Sequence, residues 1–295
     1  MPNLKEVRTR ITSVKSTQQI TSAMKLVAAS KLKRAQNAIL QMRPYAAKLK
    51  EILQNMSASL DAGDESSVYS AQREPNKVLV IAITSNRGLC GAFNANVIKA
   101  VNRTMNETYA KQHAAGNVSL MTIGKKVNDH FRRRKANILE DHQHIFDDLT
   151  FENVSMIADR VMKMFVDKKY DRVVIIYNQF KNAATQKLTI EQFLPVEPVE
   201  MEAGVSQSKV DYIFEPNKEE IVLDLIPKSL KIQFYKALLD SFASEHGARM
   251  TAMHQATDNA QELLRDLSLA YNKARQAAIT KEILEIVSGA EALKG

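Results

Sequence analysis

Residues 3–62 contain no glycine and a single proline, Pro44. Read in sevens, the seam positions are Leu4, Val7, Ile11, Val14, Gln18, Thr21, Lys25, Ala28, Leu32, Ala35, Ile39, Met42, Ala46, Leu49, Leu53, Met56 and Leu60. Fourteen of these seventeen are apolar. A 3.5-residue period held this long predicts a coiled-coil helix, because only that period keeps one stripe against a partner helix. Pro44 removes one backbone hydrogen bond, so a kink or joint is expected there. At ~1.5 Å per residue such a helix reaches roughly 85 Å, more than a small domain can cover.

The other end of the chain has the same character. From Lys228 to Gly295 there is no proline, and the interior glycines are Gly247 and Gly289. Alanines recur at Ala248, Ala252, Ala256 and Ala260, then at Ala270, Ala274 and Ala278. Small residues on one stripe let helices approach closely. A second helix of ~65 residues, on the order of 95 Å long, is expected. Two such helices can pair antiparallel, seam against alanine stripe; two separate bundle helices are the alternative.

Between them the periodicity changes. "KVLVIAIT" (77–84), "VSLMTI" (118–123) and "RVVIIYN" (172–178) are short β-branched runs of the kind buried on both faces of a sheet. Helical segments are expected near 92–113, 125–135 and 153–168, so strands and helices alternate and a parallel sheet follows. "KLTIEQFLPV" (187–196) alternates and suits an edge strand. The polar stretches 61–76 and 195–210 read as connections. The fold expected is an α/β (Rossmann-like) domain, residues 63–215, inserted between two long terminal helices, 1–62 and 216–295, that form an antiparallel coiled coil.

Charge is unevenly placed. Residues 1–62 hold 11 Lys/Arg against 3 Asp/Glu, a net +8, which equals the formal charge of the whole chain. That end should seek an acidic partner: nucleic acid, anionic lipid or an acidic protein face. No apolar run approaches the ~20 residues of a membrane span. The N-terminal residues do not read as a signal peptide. One cysteine, Cys90, excludes an internal disulfide framework and fits a reducing compartment.

The loop "TSNRGLCGAFN" (84–94) follows a buried-type strand and raises the question of a phosphate. A Walker loop needs Gly-x-x-x-x-Gly-Lys-Ser/Thr; here Gly88 and Gly91 are three apart, and neither Lys nor Ser/Thr stands among Ala92, Phe93 and Asn94 after them. The dinucleotide fingerprint fails too. The glycines are read as serving a tight strand-to-helix turn. No histidine neighbours Cys90 in sequence, so it is read as a packed or partly exposed thiol rather than a nucleophile. "EDHQHIFDD" (140–148) has metal-ligand residue types at weak spacing and is read as a solvated polar loop; "FRRRK" (131–135) is read as a solvated helix end. Gln18, Thr21 and Lys25 interrupt the seam together. They are either a register device or a segment meeting another surface, with Lys25, Lys31, Lys33 and Arg34 supplying positive charge.

"YNKARQAAITKEILEIVSGAEA" (271–292) resembles the signature of the gamma subunit of F-type ATP synthases, through Ile279, Thr280, Glu282, Glu285, Gly289 and Ala290. "RITSVKSTQQITSAMKLVAASKLKRAQ" (10–36), "SNRGLCGAFN" (85–94) and "EHGARMTAMHQATDNA" (245–260) are similar to that family as well. The matches fall at both ends and in the middle.

The resemblance implies a central rotor shaft that turns inside three alpha and three beta subunits. It implies epsilon beside the α/β domain, delta as a further candidate partner, and membrane contact only through the c ring. It implies no nucleic acid partner and no cofactor on this chain, with ATP, ADP and Mg held by alpha and beta. Arg275, Gln276 and Thr280 match the family's catch on beta. Met24, Lys25, Arg87 and Cys90 match positions facing the lower loops of beta, and Tyr212 lies in the foot over the c ring. The two-cysteine insertion of plant chloroplast relatives is missing, and no transit peptide is read. The expectation is a bacterial complex on the cytoplasmic face of the inner membrane.

Overall fold

The computed structural model describes residues 4–57, 68–196 and 218–292, with the side chains of 50, 51, 53–57 and 218–223 left aside. Both expected domain boundaries, the connection 197–210, Leu60 and Tyr212 lie outside the described residues. The chain has a long N-terminal helix, α1 (Leu4–Ser57), a central mixed sheet, and a long C-terminal helix, α6 (Lys218–Ala292). It divides into two compact units: Met1–Ala29 with Arg249–Gly295, and Ser30–Ala248.

The second unit carries the sheet. Its elements are β1 (Val78–Ile83), α2 (Phe93–Arg103), a π-helical turn (Thr104–Thr108), α3 (Ala110–Ala114), β2 (Val118–Ile123), α4 (Lys125–Arg133), β3 (Ile138–Asp141), a 3-10 turn (Gln143–Phe146), α5 (Phe151–Val166), β4 (Arg172–Phe180) and β5 (Gln186–Leu194). Strand order is β3-β2-β1-β4-β5. The first four strands are parallel, as strand–helix alternation predicts, and β5 returns antiparallel along β4 as the edge. The edge position is as its alternation suggested, and the short connection 181–185 permits only a hairpin.

Every residue of β1 and β2 is buried, which explains their unbroken apolar character. Alternate side chains serve opposite layers. Leu79, Ile81 and Ile83 pack with Val154, Val161 and Phe165 of α5 and with Leu230, Phe234 and Leu238 of α6. Val78, Val80 and Ala82 pack with Val97 and Val101 of α2 and Val127 and Phe131 of α4. Arg73 ties the entering chain to this body: its guanidinium lies 4.9 Å from the Phe165 ring centroid and donates to the Phe165 carbonyl at 3.3 Å.

Three local expectations are corrected. Residues 138–141 form β3, so Glu140 and Asp141, expected to open a polar loop, lie in a strand; Ile138 and Glu140 turn inward and only the alternate Leu139 and Asp141 are exposed. Helix α6 starts ten residues before Lys228 and contains Pro227. Pro44, where a kink or joint was expected, lies inside α1. The segment expected as one helix over 92–113 contains the π turn, after which Tyr109 is buried.

In the first unit, parts of α1 and α6 lie side by side. The hydroxyl of Thr257 stands 2.8 Å from that of Thr21, and the Lys25 Nζ stands 3.4 Å from His254 Nδ1. Position rises along α1 as it falls along α6, so the two segments run in opposite directions.

Candidate functional site

The sequence offers two places for function, the loop after β1 and the long helices. Beside the loop, the first amides of the neighbouring helix α4 are already engaged. The amide of Lys125 donates to Asn86 Oδ1 at 2.9 Å, that of Lys126 to the Ser85 carbonyl at 3.2 Å, and that of Val127 to Thr84 Oγ1 at 3.0 Å. The first turn of α4 therefore has no amide left for an anion. Inside the loop, the Ser85 amide donates to Asn94 Oδ1 at 3.0 Å, and the Asn94 amide nitrogen donates to Cys90 Sγ at 3.2 Å. Cys90 is 1% exposed, so its thiol faces inward. Arg87 is exposed.

"EDHQHIFDD" is explained by ion pairs. Glu140 accepts from Arg160 at 3.0 Å and pairs with His142 at 2.8 Å. Among the described residues no group of three or more His, Cys, Asp or Glu is arranged to hold a metal. At the end of α4, His130 lies against Arg134; burial, then Arg134 and Arg133, push its pKa below the usual histidine value.

The seam of α1 is inward over its described positions. All fourteen positions from Leu4 to Leu49 are buried or half-buried, including the polar Gln18, Thr21 and Lys25. Its polar interruption is matched on α6 by Thr257 and by His254, which also approaches Asp258 at 3.3 Å through the same Nδ1. That nitrogen cannot accept from Lys25 and donate to Asp258 at once, so the two contacts exclude each other. Met24 is half-buried beside Lys25, while Ile20, Leu26 and Val27 are exposed.

On α6 the inward positions are Met253, Thr257, Ala260, Leu264, Leu267, Tyr271, Ala274 and Ala278, spaced alternately by three and four. The four-residue alanine stripe follows this seam only in part: Ala270 is exposed. A strict spacing of four advances 400° and drifts off the face, whereas alternating three and four stays on it. Beyond Ala278 every residue through Ala292 is exposed, including Ile279, Ile283, Leu284, Ile286 and Val287. Arg275, Gln276 and Thr280 are exposed too, and the Thr280 hydroxyl donates to the Gln276 carbonyl at 2.9 Å. Gln276 and Thr280 share a face one turn apart, and Arg275 lies on the flank.

One group was not anticipated from the sequence. In the second unit Glu191 of β5 accepts from the Tyr177 hydroxyl at 3.0 Å and from Gln233 Nε2 at 2.6 Å. Burial, then Glu191, raise the Tyr177 pKa far above its usual value. Nearby on α6, Asp240 is 6% exposed. Burial pushes its pKa up to about 6, with Glu191 adding to the rise and Lys236 and Arg43 opposing it. Only the alternation of β5 signals that Glu191 could point inward.

The family model described as ATP synthase matches residues 3–293. The chain belongs to the ATP synthase gamma-chain family. It is 62% identical over 295 residues to the ATP synthase gamma chain of Flavobacterium psychrophilum, covering 100% of both chains. It is 48% identical to that of Chloroherpeton thalassium, covering 100% of this chain and 99% of the other. A central-stalk chain of the Tetrahymena thermophila mitochondrial ATP synthase is similar with a TM-score of 0.58 at 26% identity, over 80% of this chain and 99% of that one. A chain of the Euglena gracilis mitochondrial ATP synthase shares the fold, with a TM-score of 0.67 at 20% identity over 98% of this chain and 94% of that one. The role is that of the central-stalk rotor subunit. Among the described residues no helix is long and apolar enough to cross a membrane.

Proposed function

We propose that this chain transmits torque between a membrane-embedded c ring and nucleotide sites carried by other subunits, and is not catalytic by itself. The observation that carries the reading is the change along α6. An inward seam runs to Ala278, and an apolar but exposed helix end, Ile279 to Val287, follows. An apolar helix end of this kind gains by turning within an enclosing protein surface.

On this reading the oppositely running segments of α1 and α6 form an antiparallel coiled coil, supported by the two seams and by the Thr21–Thr257 and Lys25–His254 contacts. Three alpha and three beta subunits surround it and hold ATP, ADP and Mg. Epsilon and delta are further partners, and the c ring meets the foot that contains Tyr212. The complex sits on the cytoplasmic face of a bacterial inner membrane. Arg275, Gln276 and Thr280 form the catch on beta, and Met24, Lys25 and the Arg87–Cys90 loop face its lower part. A catch works when its hydrogen bonds differ between rotary states, so that each position biases the nucleotide sites differently.

Reconstitution tests this reading. Adding the chain to alpha and beta should stimulate steady-state ATP hydrolysis, and Arg275→Ala with Gln276→Ala should slow it while assembly persists. Alpha–beta mixtures left unstimulated by the chain would refute the rotor role.

A further inference from the structure

The sheet has two unlike edges. Strands β1 to β4 are parallel, so all four begin at one edge and end at the other. The connections at the ending edge, 84–92, Gly124, 142–150 and 181–185, hold two Lys/Arg against two Asp/Glu. At the beginning edge, residues 68–77, 104–117, 132–137 and 167–171 hold nine against four. The excess is concentrated in Arg132, Arg133, Arg134 and Lys135 at the end of α4, and in Lys168 and Lys169 after α5; all six are exposed. Among the described residues no carboxylate forms an ion pair with any of them, and Asp129, the one carboxylate of α4, is half-buried and pairs with none.

Local structure does not account for these cations. Helices α4 and α5 close with the same turn: the amide of Lys135 donates to the Arg132 carbonyl and that of Ala136 to the Phe131 carbonyl, and those of Lys168 and Lys169 donate to the Phe165 and Met164 carbonyls. The closing residue of each turn is in the left-handed region, at φ +55° for Lys135 and +58° for Lys168. Glycine or asparagine is what this position favours, yet a lysine stands at both. A helix C-terminus attracts a cation into its last turn; that explains one such charge, not four in a row. The crowding is felt inside the cluster, where Arg134 and Arg133 add to burial in holding the His130 pKa down. Like charges gathered without acids repel one another in the isolated chain and gain when an anion approaches.

Helix α6 gives this edge a direction. It crosses the sheet from Phe234, whose ring centroid is 5.6 Å from that of Phe193 beside the start of β4, to Gly247, where an added Cβ would stand 3.0 Å from the Ala183 carbonyl in the connection after β4. It therefore leaves the sheet by the ending edge. On the rotor reading the enclosing subunits lie that way, and the basic edge looks toward the membrane. Residues 132–135 and 167–169 offer no apolar or aromatic anchor of the kind that a protein or a single-stranded nucleic acid grips. We propose that this basic edge is attracted to the anionic phospholipid headgroups of the bilayer, a second membrane contact beside the one through the c ring. This inference rests on the rotor reading. Attraction of a polybasic face to a fluid anionic surface needs no fixed partner and reaches about 8–10 Å at moderate salt, so it persists while the face turns.

The experiment compares the full-length wild type with the triple variant Arg132→Gln, Arg133→Gln, Arg134→Gln, and with Lys31→Gln, Lys33→Gln, Arg34→Gln, which removes the same charge from exposed positions of α1. Binding is measured by co-sedimentation with vesicles of phosphatidylglycerol and phosphatidylcholine in equal parts, and with phosphatidylcholine alone. Wild type should bind the mixed vesicles only, and less as salt rises. The α4 variant should bind at least about tenfold more weakly, and the α1 variant should lose less than about threefold. The α4 variant should unfold at the same or a higher temperature than wild type, since it relieves repulsion; a lower one would make the cations structural and overturn the proposal. Equal losses in the two variants would reduce the binding to net charge and overturn it too. So would wild-type vesicle binding by the α4 variant, with or without a lost affinity for a single-stranded oligonucleotide. In the complex assembled with alpha, beta and the c ring in membranes, a dye on Lys135→Cys should be quenched by a nitroxide on the lipid headgroups, and one on Lys181→Cys, at the opposite edge, should not. Cys90 is buried and stays unlabelled. Quenching that is absent, or equal at the two positions, would overturn the proposal. A wild-type chain that binds the vesicles but does not assemble would instead count against the rotor reading itself.

Discussion

The two units treat apolar surface in opposite ways. In the sheet-bearing unit all twelve residues of β1 and β2 are buried, and helices cover both sheet faces. In the helix-pair unit a single stripe of each helix is inward, and Ile20, Leu26, Val27, Leu269, Ile283 and Ile286 remain exposed. Residues in the first group are explained by their neighbours in this chain. Residues in the second are not explained by neighbours in this chain. Substitutions in the sheet unit should therefore show in the stability of the isolated chain, and those in the helix pair chiefly in the assembled complex.

The sharpest expected effect is at Gly124. Its φ is +101°, and a Cβ there would stand 2.1 Å from the Thr84 carbonyl oxygen. Both the clash and the conformation oppose any side chain, and the obstacle is backbone that cannot swing away. Gly124→Ala should destabilise the chain by about 3–4 kcal/mol, read as a lowered urea midpoint. A midpoint unchanged within error would mean that the sheet unit yields more than its packing implies.

Next in size is a pH effect at Asp240. Its pKa is about 6 in the fold against an ordinary value of 3.8. Below the lower value the carboxyl is protonated in both states and costs the fold nothing. As pH rises towards the upper value the unfolded chain ionises first, so stability falls through that window, by about 3 kcal/mol in all. Asp240→Asn should remove this slope, gaining on wild type between pH 4 and pH 7. Parallel pH–stability curves for the two proteins would show that Lys236 and Arg43 fully offset the cost of burial.

These contrasts also mark what the sequence could disclose. The seam of α1 was legible residue by residue from Leu4 to Leu49 because one helix face repeats through that stretch. The central strands were legible because burial on both faces leaves unbroken apolar runs. Strand β3 was not, because four residues containing Glu140 and Asp141 form too short a pattern to separate from a polar loop. Pro227 misplaced the start of α6, since the rule against proline within a helix is a cost and not a prohibition. Pairing of Glu191 with Tyr177 and Gln233 depends on three elements meeting, which no local pattern encodes. In the loop after β1 the motif pointed to Arg87 and Cys90, yet the thiol packs inward and Leu89 takes the exposed tip. The family resemblance supplied the partners, because the surfaces facing them leave no signature in this chain's own packing.

A smaller effect tests the polar break in the helix pair. The Thr21 hydroxyl donates to the Gln18 carbonyl at 3.0 Å, and Thr257 stands 2.8 Å from both Thr21 Oγ1 and the Met253 carbonyl. Its single proton serves one of them at a time. Replacing one threonine by valine leaves the other hydroxyl facing a methyl group and should cost about 0.5–1 kcal/mol; replacing both should restore that loss or exceed it. A double-mutant cycle by urea unfolding measures the coupling. Additive single effects would remove the case for a register device.

The smallest expected change is at Gly289, and it reverses the sign seen at Gly124. Nothing lies within 4 Å of a Cβ built there, and the residue is exposed within α6. Glycine in an open helix costs about 0.5–1 kcal/mol relative to alanine through lost backbone entropy. Gly289→Ala should therefore slightly stabilise the isolated chain, read as a higher midpoint or a stronger helical signal near the C-terminus. In the assembled complex the same methyl meets whatever surface encloses the exposed apolar end of α6. Where another backbone approaches that face closely, the variant gains stability alone and loses hydrolysis when assembled. Gly124 is glycine because of Thr84 in the same chain; Gly289 would then be glycine because of a neighbour. A variant that gains in both settings would free Gly289 of any such constraint and narrow the enclosed surface to Ile279, Ile283, Ile286 and Val287.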